Sequence, residues 1–80
     1  MIKLTKINNN FYEVIVGDNT FFFSYETCIA IEDNNGLHIC ENVWSKTTGK
    51  HLNMLQKNKN QRYKWDQFQK LLNKYNVPKF

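Results

Sequence analysis

The sequence predicts an α+β fold: a four-stranded antiparallel meander covered on one face by one or two C-terminal helices. Two observations carry that reading. Short β-branched and aromatic runs fill the chain up to Trp44, separated by Asn- and Gly-rich breaks, and the last third has apolar residues at helical spacing. A third bounds the size: 80 residues with 41% hydrophobic and 15% aromatic content suffice for one folded domain, residues 1–80, and argue against disorder.

Lys3–Ile7 is the first expected strand, and Asn8-Asn9-Asn10 turns the chain because Asn tolerates positive φ. Phe11–Val16 is the second, broken by Gly17-Asp18-Asn19-Thr20. Phe21–Glu32, the longest apolar run, reads as one strand with Phe21, Phe23 and Tyr25 on one face and Phe22, Ser24 and Glu26 on the other. Phe22, if exposed, would anchor a protein partner. Asp33-Asn34-Asn35-Gly36 is the clearest hairpin signal, and Leu37–Trp44 returns antiparallel as the fourth strand. Ser45 or Thr47 caps a short helix over roughly residues 46–56, with Leu52 and Leu55 inward. Residues 62–76 form a second helix, whose stripe of Trp65, Phe68, Leu72 and Tyr75, with Leu71 beside it, reads as core. Asn76 and Pro78 end it.

Composition narrows the function classes. Two cysteines are too few for a disulfide framework, so the chain reads as reduced and intracellular. No signal peptide is evident, and no apolar run reaches the length of a membrane span. The net charge of +4 hides a division: residues 1–44 hold two lysines against six carboxylates (net −4), and residues 45–80 hold nine cations against Asp66 alone (net +8). A cationic half of that kind points to a polyanionic partner.

No constellation specifies an enzyme. Cys28, His38 and Cys40 are the only soft-ligand group, and they lack both a fourth ligand and paired-cysteine spacing, so no metal is expected. Gly49-Lys50-His51 has the shape of a phosphate loop's end without its upstream glycine, and His51 stands where a magnesium-binding hydroxyl belongs. What survives is a helix start at which Ser45, Thr47 and Thr48, beside Lys46 and Lys50, hold a single phosphate. Cys40 or Glu41 can be paired with His51 on paper, but nothing in the spacing requires it, and a chain this small has little room for a deep pocket. The expectation is therefore no catalysis and no cofactor. A ligand pocket lined by Tyr25, Trp44 and His51 is a weaker reading.

The stretch Lys57-Asn58-Lys59-Asn60-Gln61-Arg62-Tyr63-Lys64 mixes cations, amides and an aromatic, which suits phosphate contact with some base or sugar contact. Arg62 is the sole arginine and so the only fork-shaped donor. The expected contact set is Lys46, Lys50, Lys57, Lys59, Arg62 and Lys64.

Two segments, Phe22-Phe23-Ser24-Tyr25-Glu26-Thr27-Cys28-Ile29-Ala30 and Glu41-Asn42-Val43-Trp44-Ser45-Lys46-Thr47-Thr48-Gly49-Lys50-His51-Leu52-Asn53, resemble a family of small phage and mobile-element proteins with no established activity. The resemblance covers roughly residues 21–53 and carries no catalytic residues across. It implies a phage-type accessory protein in a bacterial cytoplasm. Two functions follow: a non-enzymatic module whose basic half binds nucleic acid, or a protein-binding inhibitor of a host defence nucleoprotein complex, such as a CRISPR effector, that blocks or mimics a nucleic-acid interface.

Overall fold

A computed structural model describes residues 2–56, 61–75 and 77–78. Five strands run in order, β1 (Ile2–Asn8), β2 (Phe11–Val16), β3 (Asn19–Ser24), β4 (Thr27–Asp33) and β5 (Gly36–Ile39), followed by α1 (Lys46–Leu55) and α2 (Trp65–Leu72). Each strand pairs antiparallel with its sequence neighbours, giving a β1-β2-β3-β4-β5 sheet. The fold is α+β as expected, with five strands in place of four.

The extra strand comes from a reversal inside Phe21–Glu32, where Tyr25 adopts a left-handed φ of 57°. A bulky residue rarely sits there, and no Gly, Asn or Pro marks the spot. Tertiary structure supplies the support: the Tyr25 N–H donates to the Asn10 carbonyl at 2.7 Å, and Asn10 is itself left-handed at φ 59°. Two adjacent turns thus brace one another.

β5 is shorter than the expected Leu37–Trp44. Residues 62–64, expected to be helical, run along its outer side instead. Tyr63 N–H donates to the Ile39 carbonyl and Glu41 N–H to the Tyr63 carbonyl, both at 2.7 Å, so α2 begins only at Trp65.

Both faces of the sheet are apolar, because Phe21, Phe22 and Phe23 are consecutive and strand side chains alternate. Phe21 and Phe23 join Val14, Cys28, Ile31 and Cys40 on one face, where Phe68 of α2 packs. Phe22 joins Phe11, Ile29, Ala30 and Ile39 on the other, beneath Leu52 of α1. A bulge at Ile29 lets it share a face with Ala30. The expectation of cover on one face is corrected: a sheet apolar on both sides needs a helix on each. Phe22 is core rather than an exposed anchor. Trp65 also departs from expectation, since it opens α2 at 47% exposure while Phe68 is fully buried. Among the described residues no helix is long and apolar enough to cross a membrane.

Candidate functional site

Helix α1 organises the site, and Ser45 starts it. The Ser45 Oγ accepts the Thr48 N–H at 3.2 Å, capping a donor that the first turn would leave unmet. Thr48, His51 and Leu52 then fall on one buried stripe, at helical spacings of three and four. Thr48 Oγ1 lies 2.9 Å from Ser24 Oγ, and Ser24 Oγ lies 2.7 Å from His51 Nδ1. Since Ser45 Oγ donates to Thr48 Oγ1 at 3.4 Å, one direction of donation satisfies the whole chain: Ser45 to Thr48, Thr48 to Ser24, Ser24 to His51. The His51 ring stacks on Phe11, with centroids 4.7 Å apart and planes within 7°.

A Ser–His contact at this distance resembles a nucleophile and its base. Here Ser24 is only 2% exposed and its oxygen is shared with Thr48, which makes the trio a lock between β3 and α1. The partner of His51 is therefore Ser24, not Cys40 or Glu41. Tyr25 approaches His51 with ring centroids 6.4 Å apart, and Trp44 packs against both apolar clusters.

The lock turns the opposite side of α1 outward. Lys46 and Lys50 are exposed four residues apart, and Asn53 continues the same stripe. Arg62 is fastened to the end of that stripe: its Nη2 donates to Asn53 Oδ1 at 2.8 Å and to the Gln56 carbonyl at 3.1 Å. Lys64 is exposed at the start of α2. Lys57 and Lys59 lie outside the described residues. Among the described residues the one ion pair is His38–Asp33, so the four described cations of the expected set are not neutralised by carboxylates there. Structure thus brings Lys46, Lys50 and Arg62 together along one helix.

Beside this stripe is a polar hollow of about 370 Å³ lined by Glu41, Asn42, Gly49, Asn53 and Arg62. Asn42 is held at both ends of its amide: Nδ2 donates to the Ser45 carbonyl and Oδ1 accepts the Trp44 N–H, each at 3.0 Å. Gly49 is bare where a Cβ would come within 2.8 Å of Asn42 Nδ2. Glu41 Oε2 accepts the Trp65 N–H at 3.0 Å. Sequence reasoning chose Arg62 but missed Glu41, Asn42 and Asn53, which come from separate segments. The one available signal was Gly49, a weak helix former kept inside a helix. A larger, more open cleft of about 650 Å³ lies by Leu4, Tyr12 and Tyr25, with Glu26 and no cation among its described lining residues.

A second polar cluster sits on the α2 side. His38 Nε2 meets Asp33 Oδ1 and His38 Nδ1 meets the Tyr63 hydroxyl, both at 2.9 Å, while the Tyr75 hydroxyl donates to Asp33 Oδ2. Donation from Tyr75, helped by His38 and the Asn35 N–H, holds the Asp33 carboxyl down at about 2. With both ring nitrogens engaged, His38 ties Asp33 to Tyr63, and Asp33 in turn holds Tyr75. Burial pushes the Cys28 and Cys40 thiols up to about 12, so both stay protonated near neutral pH and are poor ligands or nucleophiles. Among the described residues no three His, Cys, Asp or Glu side chains are grouped to hold a metal.

Among curated proteins and among solved structures, nothing matches the chain. A family does match, over residues 2–70, which takes in the whole sheet, α1 and most of α2. On that match, the chain belongs to the family of unknown function DUF8033.

Proposed function

We propose that this is a non-enzymatic, phage-type accessory protein that binds nucleic acid through the outward face of α1 and Arg62. The observation that carries the reading is the alignment of Lys46, Lys50 and Arg62 along one helix, without a carboxylate partner among the described residues. Lys46 and Lys50 stand about 6 Å apart along the axis, so the stripe offers charge at intervals instead of one concentrated point. Arg62 adds a cation fixed at the end of the stripe by Asn53 and Gln56, with Nη2 committed to them and Nη1 left to donate. Lys64 extends the basic surface, and Lys57 and Lys59 belong to the same proposal from sequence alone. The bacterial cytoplasm and the phage setting rest on the resemblance of the two segments.

The test is titration of fluorescent single- and double-stranded DNA and RNA of random sequence at low salt. Binding should weaken steeply with added salt, and replacing Lys46 and Lys50 by Ser should lower the slope of log affinity against log salt by about 1.4–1.8, as two lost phosphate contacts require. Lys70→Ser with Lys74→Ser, on and just beyond the helix that covers the other face, should change little. No binding at low salt, or equal losses from both pairs, refutes the proposal.

A second reading draws on exposed apolar side chains. Val43 and Trp65 are 48% and 47% exposed, and Trp is a common anchor at protein interfaces. Under that reading the protein inhibits a host defence nucleoprotein complex, and the naked nucleic acids of the same titration would not bind.

A further inference from the structure

We infer that the hollow between Glu41 and Arg62 reads a base, and that the base it selects is guanine. The inference rests on the nucleic-acid reading above and adds specificity to it.

A carboxylate and a guanidinium line the same hollow without forming an ion pair. A ligand lying between them must offer N–H donors to Glu41 and acceptors to Arg62. A bare phosphate fits poorly, because it would face the carboxylate, and a simple cation would face the guanidinium. The unused chemistry is specific. Glu41 accepts the Trp65 N–H on Oε2 and keeps Oε1, together with the second lone pair of Oε2, for a ligand. Arg62 has committed Nη2 to Asn53 and Gln56, and Nη1 has no partner among the described residues. Its Nε is buried and unpartnered among those residues, so it is closed to a ligand and marks how tightly the guanidinium is set. Asn42, with both ends of its amide engaged, is a fixed wall, and Gly49 leaves the floor clear. At about 370 Å³ the space falls within the range of small-molecule sites.

Among the bases, guanine alone presents two adjacent N–H groups, N1–H and N2–H₂, beside the acceptors O6 and N7. The first pair matches a carboxylate and the second matches arginine. Thymine and uracil flank their single ring N–H with carbonyls that would face Glu41. Adenine and cytosine offer one exocyclic amine each. Lys46 and Lys50 would hold the flanking phosphates while the unstacked base enters the hollow.

The test is fluorescence anisotropy with three single-stranded octamers: all thymidine, the same strand with two central guanines, and the same with two central inosines, which lack the N2 amine. The expected result is at least tenfold tighter binding of the guanine strand than of the thymidine strand, with inosine losing most of the gain. Glu41→Gln, which keeps an oxygen for the Trp65 N–H, should remove the guanine strand's advantage over the thymidine strand. Equal affinity for the three strands overturns the inference and spares the nucleic-acid reading. Absence of binding to all three overturns both. The inosine comparison uses the unaltered protein, so it stands even if the variant fails to fold.

Discussion

Replacing Gly49 by Ala sets two effects of opposite sign against each other. Ala is favoured over Gly inside a helix by about 1 kcal/mol, so propensity alone predicts a more stable protein. The new Cβ would meet Asn42 Nδ2 at 2.8 Å, however, closer than real contacts allow. Asn42 must then swing out and give up its bonds to the Ser45 carbonyl and the Trp44 N–H. At about 1 kcal/mol for each bond the loss is about 2 kcal/mol, leaving a net destabilisation of about 1 kcal/mol. The cycle is closed by Asn42→Ala. In that background the bonds are already gone, and Gly49→Ala should stabilise by about 1 kcal/mol, a coupling of about 2 kcal/mol. Urea unfolding followed by the fluorescence of Trp44 and Trp65 reads all four proteins. Stabilisation of similar size in both backgrounds would mean that Asn42 does not abut Gly49, and the description of the hollow's floor would fail with it.

Two other predictions test the core and the α2-side cluster. Phe68→Ala should cost about 3–5 kcal/mol because the ring is fully enclosed, while Trp65→Ala, at the exposed start of the same helix, should cost under about 1 kcal/mol; equal costs in urea unfolding would refute the assignment of the buried stripe. Asp33 should make stability depend on acidity: its folded carboxyl is lowered from 3.8 to about 2, so its contribution is complete above the unfolded value and is lost as pH falls through about 2. Tyr75→Phe removes the largest cause of that shift, so the difference in melting temperature between it and the unaltered protein should be greatest near neutral pH and fade as pH falls from 3.8 to about 2. A constant difference across the acid range would show that the Tyr75 hydroxyl does not stabilise the carboxylate.

Features that depend on local chemistry were legible in the sequence. Asn34 and Asn35 turn the chain between Asp33 and Gly36, Ser45 caps α1, Leu52 faces inward and Phe68 anchors α2. What was hidden depends on partners distant in the chain. Tyr25 turns without a turn residue because the Asn10 carbonyl receives its N–H. Arg62 and Tyr63 look helical by pattern yet lie extended, because the edge of β5 offers unpaired backbone groups. Trp65 falls on the apolar stripe by spacing, but α2 begins there and Phe68 is the first side chain to reach the core. The hollow gathers residues from the loop before α1, from α1 itself and from the stretch after it, so no window of sequence contains it.

The segment from Ser45 to Asn53 divides by direction. Thr48, His51 and Leu52 face the sheet, while Lys46, Lys50 and Asn53 face away. Successive residues of a helix are separated by about 100°, so a slip of one position would turn Lys50 toward the edge of the sheet and take Asn53 away from Arg62. Apolar packing of Leu52 alone resists such a slip weakly, since hydrophobic contact is not directional. The bonds from Ser24 to Thr48 and His51 are directional and buried, and breaking them would strand polar groups at a cost of about 1–3 kcal/mol each. The Ser24–Thr48–His51 trio therefore fixes the angle at which α1 presents its cations. A serine and a histidine at hydrogen-bond distance thus set, from behind, the helix whose outer side carries Lys46 and Lys50.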